Sequence, residues 1–215
     1  MTDPANAPHT PAQIRGLVRD ILDREALPPI VQAGHPVLRA RALPVDGQLE
    51  PEELAGLIDL MRSVMCEAPG VGLAAPQIGV PLQLAVLEDL YDVADDIAAE
   101  RDRRPLPFFA MLNPRYEPLG TTRALFYEGC LSVTGWQAVV DRPAAVRLAY
   151  MNDAGTHLSR DFTGWQARIV AHETDHLAGT LYLDKAISRS FTSNAEYAGH
   201  WAQPGIAEAR AGLQF

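Results

Sequence analysis

The residues with the clearest chemical content in this chain are His172-Glu173-Thr174-Asp175-His176. Two histidines four apart stand one above the other on one helix face, about 6 Å apart along the axis. Both imidazoles then reach one metal ion, and Glu173 beside them is placed as a general base. A catalytic site of this kind takes three protein ligands and keeps one position for water. Leu177-Ala178-Gly179-Thr180-Leu181-Tyr182 supplies no third histidine. Two residues compete for that place. Glu196 lies downstream, where a thermolysin-like zinc endopeptidase would carry its glutamate ligand. Cys130 lies upstream in Glu128-Gly129-Cys130-Leu131-Ser132 and offers a thiolate, a soft ligand for zinc or ferrous iron that metal binding deprotonates. Without a metal, a free cysteine is usually a small buried hydrophobe; the flanking Gly129 points instead to a bulge or a close backbone approach.

A third segment, Gly70-Val71-Gly72-Leu73-Ala74-Ala75-Pro76-Gln77-Ile78-Gly79, is an apolar loop bounded by glycines and carrying one amide side chain. It lacks the lysine and hydroxyl residue of a P-loop and the spacing of a dinucleotide fingerprint. Taken alone, it is a tight apolar turn in which Gln77 satisfies backbone groups. Taken in order, Gly70 to Gly79, Glu128 to Ser132 and His172 to Leu177 resemble peptide deformylase, a family with a G-x-G-L-A-A-P-Q-I-G loop, an E-G-C-L-S strand and an H-E-x-D-H-L helix. Gly34-His35-Pro36-Val37-Leu38-Arg39, Met111-Leu112-Asn113-Pro114 and Tyr182-Leu183-Asp184 extend the likeness over about residues 30–190.

The resemblance implies a metal-dependent hydrolase that removes the formyl group from the N-formylmethionyl end of a nascent peptide and releases formate. It implies Cys130, His172 and His176 as ligands, generally of Fe2+, with Zn2+, Ni2+ or Co2+ in preparations. Glu173 then shuttles the proton, while the Gln77 amide and the Leu131 N–H stabilise the oxyanion. Glu128 and Arg142 pair to brace the Cys130 strand. A methionine pocket falls to Val71, Phe126, Trp165, Ile169 and the stem of Arg168, whose guanidinium is expected at the mouth; Gly72 lets the peptide pair with backbone. Ordinary core packing is the plainer reading of the same apolar residues. Partners implied are the nascent peptide and the ribosome near its exit tunnel. Thr134 and Gln137 depart from residues common in the family (Pro and Arg), which bears on peptide preference. The endopeptidase using Glu196 and a deformylase-like binding protein without catalysis are the competing readings.

The elements that must position these groups follow from periodicity. The chain has 215 residues, 47% of them hydrophobic, enough for one domain with a sizeable core. Net charge is −9, against non-specific nucleic-acid binding. Two cysteines make no disulfide framework. The absence of a signal-peptide pattern or an 18-residue apolar run predicts a cytoplasmic protein, not bound to membrane. Residues 1–12 are expected to be loose, 13–187 to form one catalytic domain, 88–107 to be a charged surface insertion, part helical, and 188–215 a polar tail. A helix is expected within 12–25 and another opening at Pro51, with Leu54, Leu57, Ile58, Met61, Val64 and Met65 as its core stripe and Cys66 buried at its end. Strands are expected at 82–87, 109–113, 124–127, 138–140 and 145–150. Thr163 and Gln166 read as a capping box for the metal helix, with Gly179 as its stop. The fold class is α+β: small antiparallel or mixed sheets around a central metal-binding helix.

Overall fold

A computed structural model of the chain describes residues 10–215. Residues 1–9 of the N-terminal segment expected to be loose lie outside the described residues; Pro11 and Ala12 already belong to α1 (Pro11–Leu22), capped by Thr10 and Gln13. Helix α2 (Pro51–Glu67) starts where the proline and its acidic first turn place it, with Glu53 accepting from the Glu50 N–H at 2.9 Å. The same carboxylate takes Arg15 and Arg19 of α1, which joins the two helices. The expected stripe is buried at Leu57, Ile58, Met61, Val64 and Met65, but Cys66 is exposed. It follows Met65 on the helix, so a turn of about 100° carries it off the buried face.

Five strands form one antiparallel sheet in the order β1 (Gly72–Ala74), β2 (Leu84–Asp89), β3 (Leu106–Pro118), β6 (Ala145–Met151), β7 (His157–Thr163). A smaller antiparallel sheet orders β4 (Arg123–Gly129), β5 (Trp136–Pro143), β8 (Thr192–Ser193). Helix α4 (Gly164–Leu177) packs against β1, β2, β3, β6 and β7 of the first sheet and β5 of the second. Strands β1, β7 and β8 had no sequence signal. β1 is a three-residue piece of the glycine loop, β7 is mostly exposed and polar, and β8 is two residues long. Pairing with a neighbour, not intrinsic pattern, makes them strands.

The insertion is less peripheral than its charge suggests. It contains a short helix α3 (Asp95–Glu100), and then turns back towards the core. Arg103 makes two hydrogen bonds to the buried Asp89 carboxylate, at 2.9 and 2.8 Å. Asp102 meets the start of α4 and replaces the expected capping box. The Thr163 hydroxyl donates to Asp102 Oδ2 at 2.9 Å, and Gln166 Nε2 donates to the Pro105 carbonyl at 2.9 Å, so neither side chain caps the helix. The Asp102 carbonyl serves instead, accepting from the Trp165 N–H at 3.3 Å. The segment 188–215 is also structured. β8 pairs with β5, the single turn α5 (Asn194–Glu196) follows, and helix α6 (Ala207–Leu213) packs Ala209 with Trp201, Ile206 and Phe215 around Tyr127 and Val139. Among the described residues no helix is long and apolar enough to cross a membrane.

Gly164 begins α4 at φ +56, and a Cβ there would stand 2.4 Å from the Asp102 carbonyl oxygen. Gly164→Ala is therefore expected to destabilise the fold by at least about 2 kcal/mol, combining left-handed strain with a backbone clash. Urea unfolding checks this; a change under about 0.5 kcal/mol would mean that the insertion does not fix the helix start.

Candidate metal centre and cavity

Helix α4 is buried around most of its circumference, at Ala167, Ile169, Val170, Ala171 and Leu177, but also at Arg168, Glu173, Asp175 and His176. Buried polar groups persist only when they have partners. Most of the partners come from β4, β5 and the turn after β4. Glu128, near the end of β4, accepts from Arg142 Nε (2.5 Å) and Nη2 (2.9 Å), from Arg168 Nη1 (2.5 Å), and faces His172 Nδ1 at 3.0 Å. Burial alone would raise the Glu128 pKa; the Arg142 charge above all, then the His172 contact, reverse this and hold the carboxyl far below the usual carboxylate range. Arg142 also donates to Asp175 Oδ2 at 2.8 Å, and Asp175 accepts from Lys185 (2.6 Å) and Tyr116 (3.2 Å).

The turn after β4 brings Cys130 to the helix pair. Its Sγ lies 3.2 Å from His176 Nε2, and the ligand atoms of Cys130, His172 and His176 all lie within 4.8 Å of one another. Among the described residues this is the one group of three or more such side chains that could hold a metal ion. Glu196 is not part of it: it is exposed in the tail, 3.5 Å from His200. The donor set suits a divalent ion of borderline softness. With Nδ1 turned to Glu128, His172 keeps Nε2 for the metal, the usual arrangement of a ligating histidine. The local charge agrees. Burial would lower the His172 pKa, yet the neighbouring Cys130 sulfur and the Glu128 carboxylate raise it to about 10. Next to the centre Glu173 is 4% exposed, has Oε2 unpartnered, and is pushed up to about 7 by burial. Gln77 sits in the 3-10 turn Ala75–Ile78 after β1. Its Oε1 accepts from the Ala74 N–H at 2.8 Å. Its Nε2 reaches Ser132 Oγ (3.3 Å) and Cys130 Sγ (3.6 Å). Gln77 thus serves its own turn and also faces the site. Leu131 follows Cys130 and directs its carbonyl to Gln32.

These groups open on a cavity of about 670 Å³. Val71, Gly72, Trp165 and Ile169 line it, together with Arg101 of the insertion. Phe126 does not line it; it stands behind, edge-on to Trp165 at 6.2 Å. Arg168 contributes to the wall, but its guanidinium is not at the mouth. It is drawn inward to Glu128, Val140 O and Ala124 O, because a buried guanidinium needs its donors satisfied. Sequence reasoning missed Asp175, Ser132 and Arg101. Asp175 lies inside the His-Glu motif and carried a readable signal, a carboxylate on the buried side of a helix; the other two had none.

A cysteine in the turn after β4, two histidines on α4 and a buried carboxylate beside them, all facing one cavity, are the arrangement of a metal-dependent hydrolase. Comparison with known proteins makes this specific. The polypeptide deformylase model matches residues 27–191. Peptide deformylase 3 of Streptomyces avermitilis is 55% identical over 187 residues, covering 87% of this chain and 84% of that one. The mitochondrial peptide deformylase of Homo sapiens is 39% identical, covering 76% and 70%. Among solved structures, the class I type b peptide deformylase of Acinetobacter baumannii with Met-Ala-Ser bound superposes with a TM-score of 0.67 at 30% identity, covering 75% and 99%. The chain belongs to the polypeptide deformylase family, hydrolases that remove the N-formyl group from newly made polypeptides.

Arg142 and Glu128 are 1% and 5% exposed. Arg142→Met leaves Glu128 and Asp175 each short of a buried partner and is expected to cost about 3 kcal/mol. Chemical denaturation of the purified variant measures this; unchanged stability would show that Arg168 and Lys185 alone neutralise the two carboxylates.

Proposed function

We propose that this chain deformylates the N-formylmethionyl end of nascent polypeptides in the cytoplasm, close to the ribosomal exit, using a ferrous ion held by Cys130, His172 and His176. The observation that carries the reading is the convergence of that soft donor set with Glu173 at the head of a largely apolar cavity. Held there, a metal ion would supply Lewis acidity, lowering the pKa of a water and polarising the formyl oxygen. Glu173 accepts the proton from the attacking water and delivers it to the leaving nitrogen as the C–N bond breaks, giving formate and a free amine. The Gln77 amide and the Leu131 N–H donate to the formyl oxygen as it gains charge; one such donor is worth roughly 10²–10³ in rate. Gln77 is pre-aimed, because its carbonyl end is already tied to the Ala74 N–H.

Substrate holding follows from the same walls. The methionine side chain enters between Val71, Trp165 and Ile169, and the backbone of Gly72 pairs with the peptide. Full burial of a methionine side chain contributes about 1.5–3 kcal/mol. That the Acinetobacter relative has been solved with Met-Ala-Ser bound supports a peptide headed by methionine as the ligand. A Cβ at 72 would lie 2.3 Å from Glu173 Oε1, so any larger residue there would have to push the carboxylate aside.

The deciding experiment is formate release from formyl-Met-Ala-Ser by the Fe2+ or Ni2+ protein prepared without oxygen. Glu173→Ala should retain the ion and lose at least roughly 10²-fold in turnover; metal loss that accounts for the whole defect would refute its role as proton carrier. Cys130→Ala should lose the ion and Glu196→Ala should not; the reverse pattern would favour the endopeptidase. Gly72→Ala should fold and bind metal but fall by about 10²-fold in kcat/KM, because it displaces Glu173. A wild-type rate in that variant would mean that the carboxylate has room to spare.

A further inference from the structure

The guanidinium expected from Arg168 at the cavity is supplied instead by Arg101. This residue closes α3 and lies half-buried against the cavity wall. Its guanidinium stands 5.2 Å from the centre of the Trp165 ring and 5.7 Å from that of Phe126. Nε donates to the Pro204 carbonyl and Nη2 to the Gln203 carbonyl, each at 3.0 Å. The two following residues are anchored. Asp102 is bonded to Thr163 at the start of α4, and Arg103 to the buried Asp89. The arginine therefore spans two segments distant in sequence, the insertion and the C-terminal segment, and its cation rests on the aromatic wall. Nothing in the proton chemistry above uses it.

We propose that Arg101 is a specificity-determining residue. Its guanidinium, fixed by the carbonyls of Gln203 and Pro204, closes the cavity beside Trp165 and limits the first side chain of the substrate to a slender, unbranched one. The inference rests on the methionine pocket proposed above. It also gives the insertion and the C-terminal segment a common role, since each holds one end of the same side chain. A wall secured by two hydrogen bonds and cation–π contacts yields less readily to a bulky guest than a solvated arginine would.

The test compares formyl-Met-Ala-Ser with formyl-Phe-Ala-Ser on oxygen-free metal-loaded protein, as the ratio of their kcat/KM values. Metal content and unfolding midpoint are measured alongside. Wild type should favour methionine. Arg101→Ala should lower that ratio at least roughly 10-fold by admitting the ring, within the range that pocket size can command. Arg101→Met keeps bulk but loses both carbonyl bonds, and should lower the ratio about 3-fold or more; it decides the matter if the alanine variant does not fold. Ratios within twofold of wild type in the folded variants, or equal losses on both peptides, would overturn the proposal and leave Arg101 a purely structural clasp. A wild type that does not discriminate between the peptides would instead overturn the pocket assignment on which the proposal stands.

Discussion

The buried carboxylate of Glu128 is the interaction on which the rest of the structure depends. It lies in the interior with two guanidiniums and the ring nitrogen of His172 on its oxygens. An isolated ion there would be prohibitively costly, so every partner is obligatory. Arg142 brings β5 to the carboxylate, Arg168 brings α4, and His172 brings the centre itself. One side chain thus ties the small sheet to the helix that crosses the large one. It also sets the orientation of His172, because a ring held at Nδ1 presents Nε2 inward.

Most charged groups in this interior meet an opposite charge. Arg142 and Arg168 offset Glu128 and Asp175, with Lys185 at the solvated edge completing the Asp175 shell. Cys130 and Glu173 remain beside the two histidines, where a bound cation would face both. Polar groups on a buried helix therefore carry little free choice: each is either neutralised by a neighbour or reserved for the ion and the reaction.

The helix holding this system is positioned from outside the catalytic motifs. Asp102 and Pro105 receive its first turn, and the Asp89–Arg103 pair keeps the insertion pressed to the sheet. The C-terminal segment packs over Tyr127 and Val139 behind β4 and β5, the strands that carry Glu128 and Arg142. Segments that look like dispensable surface in the sequence thus support the strands and helix around the candidate site, and a misplacement of about 1 Å at such a site costs roughly 10²-fold in rate.

The sequence by itself determined the chemistry and most of the regular elements. The i, i+4 histidines, the glutamate between them and the order of the three motifs identify the family, because ligand types and spacing are local properties. The apolar periodicity of α2 and the strands through residues 84–150 was likewise legible, since burial of one face imposes it. That Cys130, and not Glu196, lies beside the two histidines follows from the turn after β4, which no local pattern encodes. The capping of α4, the inward turn of Arg168 and the half-buried place of Arg101 were decided by tertiary structure alone. Each depends on where a distant segment puts a carboxylate or a carbonyl: Asp102 for the helix start, Glu128 for Arg168, Gln203 and Pro204 for Arg101. A charged side chain in the sequence reads as solvated; only the fold shows which charges the interior has enough partners to keep.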